Sequence, residues 1–198
     1  MAAKRPAETR RRIVASAFWE IYRQGFQSSS IDRILDGTQV TRGALFHHFP
    51  SKQHLGYAVV DEAVAPWIDE RWITPLAGAG SVADGIASTV NAYLDAGPDE
   101  IIIGGCPLNN LIQEMAALDE GFRVRLDRIA TAWRSTVTDL WHRTATPAGS
   151  PDDAARWAGF IVSSIEGLLG AAKLARSRAP ADEAARLLVS VIRTAGAG

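Results

Sequence analysis

Apolar residues recur with helical period along nearly the whole chain. In AETRRRIVASAFWEIYRQG, Ile13, Val14, Ala17, Phe18, Ile21 and Tyr22 fall at i, i+1, i+4 and i+5 and form one stripe on a helix that Gly25 stops. The Ser28 to Ser30 triplet offers an N-cap for a short second helix running to about Thr38. A third short helix, about Thr41 to His48, ends before Pro50, and Ser51 can cap a long fourth one. Beyond residue 75 the pattern predicts helices at about 81–96, 107–117, 119–145, 151–178 and 181–195. Breaks rich in Gly or Pro separate them at 76–80, 97–105 and 146–151. The run IIIGG at 101–105 has strand character, but one strand cannot make a sheet. The expected fold is all-α, with about nine helices.

The last two helices carry a second pattern. Phe160, Ile161, Ile165, Leu168, Leu169 and Ala172 make an apolar stripe, and beside it Ser163, Gly167, Ala171 and Ala175 recur every four residues. Leu187, Leu188, Val191 and Ile192 add to it from the final helix. Small residues at that spacing let another backbone approach closely. Two readings stand at this point: monomer core, or a helical dimer interface involving Ser163, Gly167, Ala171, Ala175, Leu188 and Val191.

Charge sharpens the picture only when the chain is divided. The net charge is -1, but the first 55 residues hold nine Lys or Arg against four Asp or Glu, and the remainder holds twelve against eighteen. A basic head on an acidic body is the footprint of a protein that sets one end on a polyanion. The single cysteine, Cys106, rules out an intrachain disulfide and fits a reducing cytoplasm. The start MAAKRPAETRRR lacks the form of an export signal, and no apolar run approaches the length needed to span a bilayer. A cytoplasmic protein without a membrane partner is expected.

The motif that carries chemistry is SIDRILDGTQVTRGALFHH at 30–48, two short helices about a turn near Gln39. Ile31, Ile34, Leu35, Val40 and Leu45 are placed to hold the pair at a steep angle, as in a helix-turn-helix whose second helix enters the major groove. Thr41, Arg42, Gly43, Ala44, Phe46 and His47 are then left facing outward or at the N-terminal end. Arg42 suits a bidentate contact to guanine, and Gly43-Ala44 allows close approach to base edges. Three histidines within eight residues (His47, His48 and His54) raise the question of a metal. Adjacent residues on a helix point about 100° apart, so His47 and His48 cannot share an ion by i, i+4 geometry, and contact with DNA explains them better.

The stretch GFQSSSIDRILDGTQVTRGALFHHFPSKQHL resembles the DNA-binding segment of TetR-family transcriptional repressors, over about residues 8–60. The resemblance implies an all-helical homodimer with a DNA-binding domain at 1–52 and a ligand-binding and dimerisation domain at 53–198. It implies base contacts from Arg42, Gly43, Ala44, Phe46 and His47. Phosphate contacts fall to Ser29, Ser30, Arg33, Thr41, His48 and Lys52, with the basic cluster Arg10 to Arg12 nearby. The expected partners are double-stranded DNA with a palindromic operator, a small-molecule effector and a second copy of the chain; no cofactor or metal is expected. Two departures from the family pattern matter. Gln39 stands where Gly is usual, which strains the turn if a positive φ is needed. Phe46 stands where Tyr is usual and lacks the hydroxyl that reaches a phosphate.

The rest of the chain must explain release. Between 57 and 165 large apolar and aromatic residues abound, and the Gly-Gly-Cys-Pro break before LNNLIQEM resembles a segment that borders the effector cavity in one branch of TetR-like regulators. A pocket bordered by Tyr93, Cys106, Leu111, Met115, Trp133 and Trp141 is expected, with Asn109, Asn110, Gln113 and Glu114 as nearby polar groups. It suits a mainly apolar ligand with one or two polar groups. No nucleophile elbow, phosphate-binding glycine loop, H-E-x-x-H or cysteine ligand set is present, so the chain is not expected to be an enzyme. The expected function is a ligand-responsive repressor; a DNA-binding activator or architectural protein without effector is the alternative.

Overall fold

The computed structural model describes residues 4–95, 104–144 and 151–196. Among them there are no strands, and the helices follow the apolar periodicity. They are α1 (Lys4–Gln24), α2 (Ile31–Leu35), α3 (Arg42–His48), α4 (52–77), α5 (Val82–Asp95), α6 (Pro107–Met115), α7 (Glu120–Thr144), α8 (Pro151–Ala175) and α9 (Ala179–Gly196). The run α4 passes through two π-helical segments, Val60–Val64 and Asp69–Ile73. Most of the breaks expected at 97–105 and 146–151, including the isoleucines of IIIGG, lies outside the described residues.

Packing divides the chain into two compact units: residues up to 67 with 110–128, and residues 68–109 with 129–198. A cut at residue 52 does not coincide with this packing, because 53–67 and the distant segment 110–128 are built into the same unit as the first three helices.

In the first unit the stripe on α1 becomes core: Ile13, Val14, Ala17, Phe18 and Ile21 are buried, along with Ile34 of α2 and Leu45 of α3. Helices α2, α3 and α4 each begin with a side-chain cap. Ser30 Oγ accepts from the Arg33 amide, Thr41 Oγ1 from Ala44 and Ser51 Oγ from His54, each at 3.2 Å. Caps matter most at α2 and α3, because helices of five and seven residues gain little from propagation, whereas Ser51 starts the long α4. Phe26 and Phe122 meet edge to face at 4.7 Å beside Gly56. A Cβ at Gly56 would meet both rings, at 2.5 and 2.6 Å, so only glycine lets α4 lie this close.

In the second unit α8 packs on α9, and α9 on α5. The core holds Trp72, Trp133, Ile86, Val90, Val137, Leu140, Ile161, Ile165 and Ala172. Within helix α8, Asp153–Ala175 is long and apolar enough, by length and composition alone, to cross a bilayer, although Glu166 interrupts its apolar run. Its residues Ala154, Ala158, Ile161, Val162, Ile165, Leu168, Leu169 and Ala172 are nevertheless buried, as in a core helix.

The turn of the helix-turn-helix carries the strain its sequence implies. Gln39 takes φ 56°, in the left-handed region that costs a side chain roughly 1–2 kcal/mol. Gln39→Gly should therefore stabilise the fold by up to about 1 kcal/mol after the extra flexibility of the unfolded glycine is counted, visible as a higher urea midpoint at unchanged slope.

Candidate nucleic-acid interface and the helical body

Helix α3 presents its outer face to solvent. Arg42, Gly43, Phe46 and His47 are exposed, Ala44 and His48 are half-buried, and Leu45 between them is fully buried. Phe46, with 41% of its surface accessible, is a large apolar group with no place in the core. A Cβ added to Gly43 meets nothing within 4 Å. The protein's own packing thus gives no reason for glycine there, although glycine weakens a helix. His47 and His48 stand edge to face, 5.6 Å between ring centroids. Among the described residues no three His, Cys, Asp or Glu gather as a metal site.

The residues expected at phosphates divide in two. Thr41 is exposed, and Ser30 is half-buried. Ser29 is turned inward instead: it is 5% exposed and its hydroxyl donates to the Phe26 carbonyl at 2.7 Å. Its side chain therefore offers no surface oxygen to a phosphate. The Arg33 guanidinium pairs with Glu20 and donates to the Ser28 carbonyl. Lys52 Nζ donates to the carbonyls of Gln27 and Ser29, at 3.1 and 2.6 Å, and lies 4.8 Å from the centroid of the Phe26 ring. Desolvation lowers its pKa, with Glu114 acting in the opposite direction. Arg10 pairs with Glu62 over the Phe49 ring, and Arg12 donates to the Thr38 carbonyl. Several of these cations brace the loop before α2, so their charge faces the surface while their hydrogen bonds serve the fold.

That loop has a further anchor which sequence reasoning placed elsewhere. Glu114, expected beside a ligand, accepts from the backbone amides of Phe26 and Gln27 at 2.7 and 2.8 Å. Beside it Asp119 accepts from the Tyr57 hydroxyl at 2.8 Å, and Arg125 pairs with Asp61 at 3.0 Å. The sequence signal was the concentration of charge on 114–128, which reads equally well as a solvated face.

The six expected pocket residues are all buried but do not share a unit. Tyr93, Cys106, Trp133 and Trp141 belong to the second, whereas Leu111 and Met115 are core of the first. In the second unit Trp72 lies between Tyr93 and Trp133, with ring centroids at 5.0 and 4.9 Å, and Tyr93 donates to the Gly105 carbonyl at 3.2 Å. An open groove of about 670 Å³ between α5 and α9, lined by residues including Asn91, Arg186, Ser190 and Arg193, contains none of the six. The residue missed is Glu166. Burial raises its carboxyl to about 7, and the Cys106 thiol hydrogen-bonds to it. The thiol itself is pushed well above its ordinary value by burial and by Glu166, which favours its protonated form. An acid in the middle of the apolar stretch Trp157 to Ala172 was the available signal.

On α8 and α9, Ser163, Gly167, Ala171, Ala175 and Val191 are exposed, as are Phe160, Leu174 and Leu187. Leu188 departs from expectation: it is 5% exposed and faces the core, and its neighbour Leu187, about 100° around the helix, faces out.

Glu166 sets a pH dependence. A carboxyl at about 7 in the folded chain and near 4.5 when unfolded favours folding only while protonated. Stability should be fully present below about pH 4.5 and fall as pH rises to about 7, by on the order of 3 kcal/mol at most. Glu166→Gln should flatten that fall in urea titrations across this range.

Comparison with known proteins agrees with this geometry. Residues 13–59 match the family model for bacterial regulatory proteins of the tetR family, and 83–188 match that for the tetracyclin repressor-like C-terminal domain. An uncharacterised HTH-type transcriptional regulator of Lactococcus lactis subsp. lactis is 34% identical over 138 residues, covering 66% of this chain and 67% of its own. The transcriptional repressor NemR of Escherichia coli K12 is 23% identical over 194 residues, 94% of this chain and 95% of its own. The crystal structure of a TetR transcriptional regulator from Chloroflexus aurantiacus superposes with a TM-score of 0.83 at 26% identity, covering 96% of each chain. With both family models matched in order, the chain belongs to the TetR family of ligand-responsive, DNA-binding transcriptional regulators.

Proposed function

We propose that the protein is a homodimeric repressor which sets α3 of each protomer into successive major grooves of a palindromic operator and leaves it when a small molecule binds the helical body. The observation that carries the DNA-reading part is the outer face of α3, where Arg42, Phe46 and His47 are exposed about a glycine that the fold does not require. Arg42 takes guanine through a bidentate contact, Phe46 packs on a thymine methyl, and Gly43 lets the backbone approach the base edges. Thr41 and Ser30, capping the starts of α3 and α2, bring backbone N-H groups and hydroxyls to the phosphates.

Dimerisation falls to the outer face of α8 and α9, where Ser163, Gly167, Ala171 and Val191 join Phe160 and Leu187 in an exposed, largely apolar stripe. The effector site falls to the second unit, around the aromatic run Tyr93, Trp72 and Trp133 and the buried Glu166. Ligand control is a population shift: the effector need only prefer a dimer whose recognition helices are spaced wrongly for the operator. Repression rather than activation is supported by relatives whose names say repressor, NemR of Escherichia coli and DhaR of Mycobacterium sp. strain GP1.

Selection of random duplexes by the purified protein at about 150 mM salt should retain an inverted repeat whose half-sites lie about one helical turn apart. Enrichment of no sequence would refute the reading of bases by α3. Gly43→Ala separates fold from function. It should raise the thermal midpoint, by about 0.5–1 kcal/mol of stability, while weakening operator binding in a filter or anisotropy assay.

A further inference from the structure

Arg42, the first residue of α3, is not free at the surface. Its Nη2 lies 2.7 Å from Oδ1 of Asp32, the second residue of α2. The pair joins the two helices of the motif across their solvent side, with 58% of the arginine side chain and 80% of the aspartate exposed. Arg33 makes the contrast: it pairs with Glu20, only 14% exposed, and is bracketed by the Ser28 carbonyl as part of the fold.

As a stabilising device the Asp32 and Arg42 pair is poor, since exposed ion pairs contribute little and are screened by salt. As an electrostatic device for binding DNA it is worse, because it sets a negative charge on the surface that approaches the phosphates. What it supplies is orientation. A free arginine samples many rotamers, and each gives its guanidinium a different line of approach to the groove. A guanidinium carries five N-H donors in a fixed fork, and the contact to Asp32 engages only the Nη2 end. The remaining donors stay available for O6 and N7 of a guanine. Closure of the groove over the pair also removes it from water, which strengthens the contact at the moment of reading.

We propose that Asp32 is a specificity-determining residue: it holds Arg42 in the one orientation that reads guanine and lowers affinity for every other duplex by its charge. The inference rests on Arg42 contacting a base. On this account the pair trades non-specific affinity for discrimination, and the two effects are separable by measurement.

The test is selection and binding with the wild type, Asp32→Asn, Arg42→Ala and the double variant, each checked for an unchanged thermal midpoint. Asp32→Asn keeps the size of the side chain and removes its charge. It should cut the preference for guanine at one base pair of each half-site by about tenfold, the order of a bidentate contact, and raise affinity for random duplex severalfold. In the Arg42→Ala background the same substitution should leave base preference untouched while still raising random-duplex affinity. A merely structural role would lower operator and random binding together with preference intact, and that result overturns the proposal. So does an unchanged guanine preference in Asp32→Asn when Arg42→Ala relaxes one base pair. If Arg42→Ala itself relaxes no base pair, the assignment of Arg42 to a base fails, and the role of Asp32 fails with it.

Discussion

The carboxylate of Glu114 on the amides of Phe26 and Gln27 is the constraint on which the head depends. Helix α1 ends at Gln24, Gly25 turns the chain with φ 82°, and the next amides have no helical partner. Glu114 accepts from both with charge, and charge-assisted bonds are about twice as strong as neutral ones. Lys52 holds the carbonyl side of the same loop at Gln27 and Ser29. The loop that aims α2, and through it α3, is thus fixed on its N-H side by a residue of α6 and on its C=O side by the start of α4. The reading head is a smaller object than the unit that holds it rigid.

This is why the division of the chain was hard to see in the sequence. Fold class, helix number and the α2-turn-α3 pattern follow from apolar period, caps and Gly or Pro breaks, which are local signals. Leu45, buried between half-buried Ala44 and exposed Phe46, is the period of a helix read directly. The packing of 110–128 on the head is a contact between residues 88 apart, as Phe26 and Glu114 are, and nothing local distinguishes a carboxylate that caps a distant loop from one that faces water. The same holds for Ser29: a serine before a helix start reads as a phosphate ligand, and only the structure shows its hydroxyl turned to the Phe26 carbonyl. Leu187 and Leu188 show the limit in its simplest form, since adjacent leucines differ by one helical step and either can be the core member.

Gln39 illustrates how a local rule fails at a site under functional constraint. A left-handed residue other than glycine is a cost, and the turn bears it while the flanking side chains are satisfied: Thr38 donates to the Leu35 carbonyl and accepts from the Val40 amide. The turn is over-determined by these bonds and by the buried Ile34 and Leu45, so the strain is held and α3 keeps its angle.

The two faces of α8 bring the remaining requirements together. Inward, Glu166 is largely desolvated with the Cys106 thiol hydrogen-bonded to it, a group whose charge is costly where it stands. Outward, glycine, alanine and serine leave room for a second backbone. On the proposed reading a ligand that changes the charge or partner of Glu166 acts on the very helix whose other face joins the protomers. In sequence, α6 begins at Pro107, next to Cys106, and includes Glu114, whose carboxylate fixes the loop before α2.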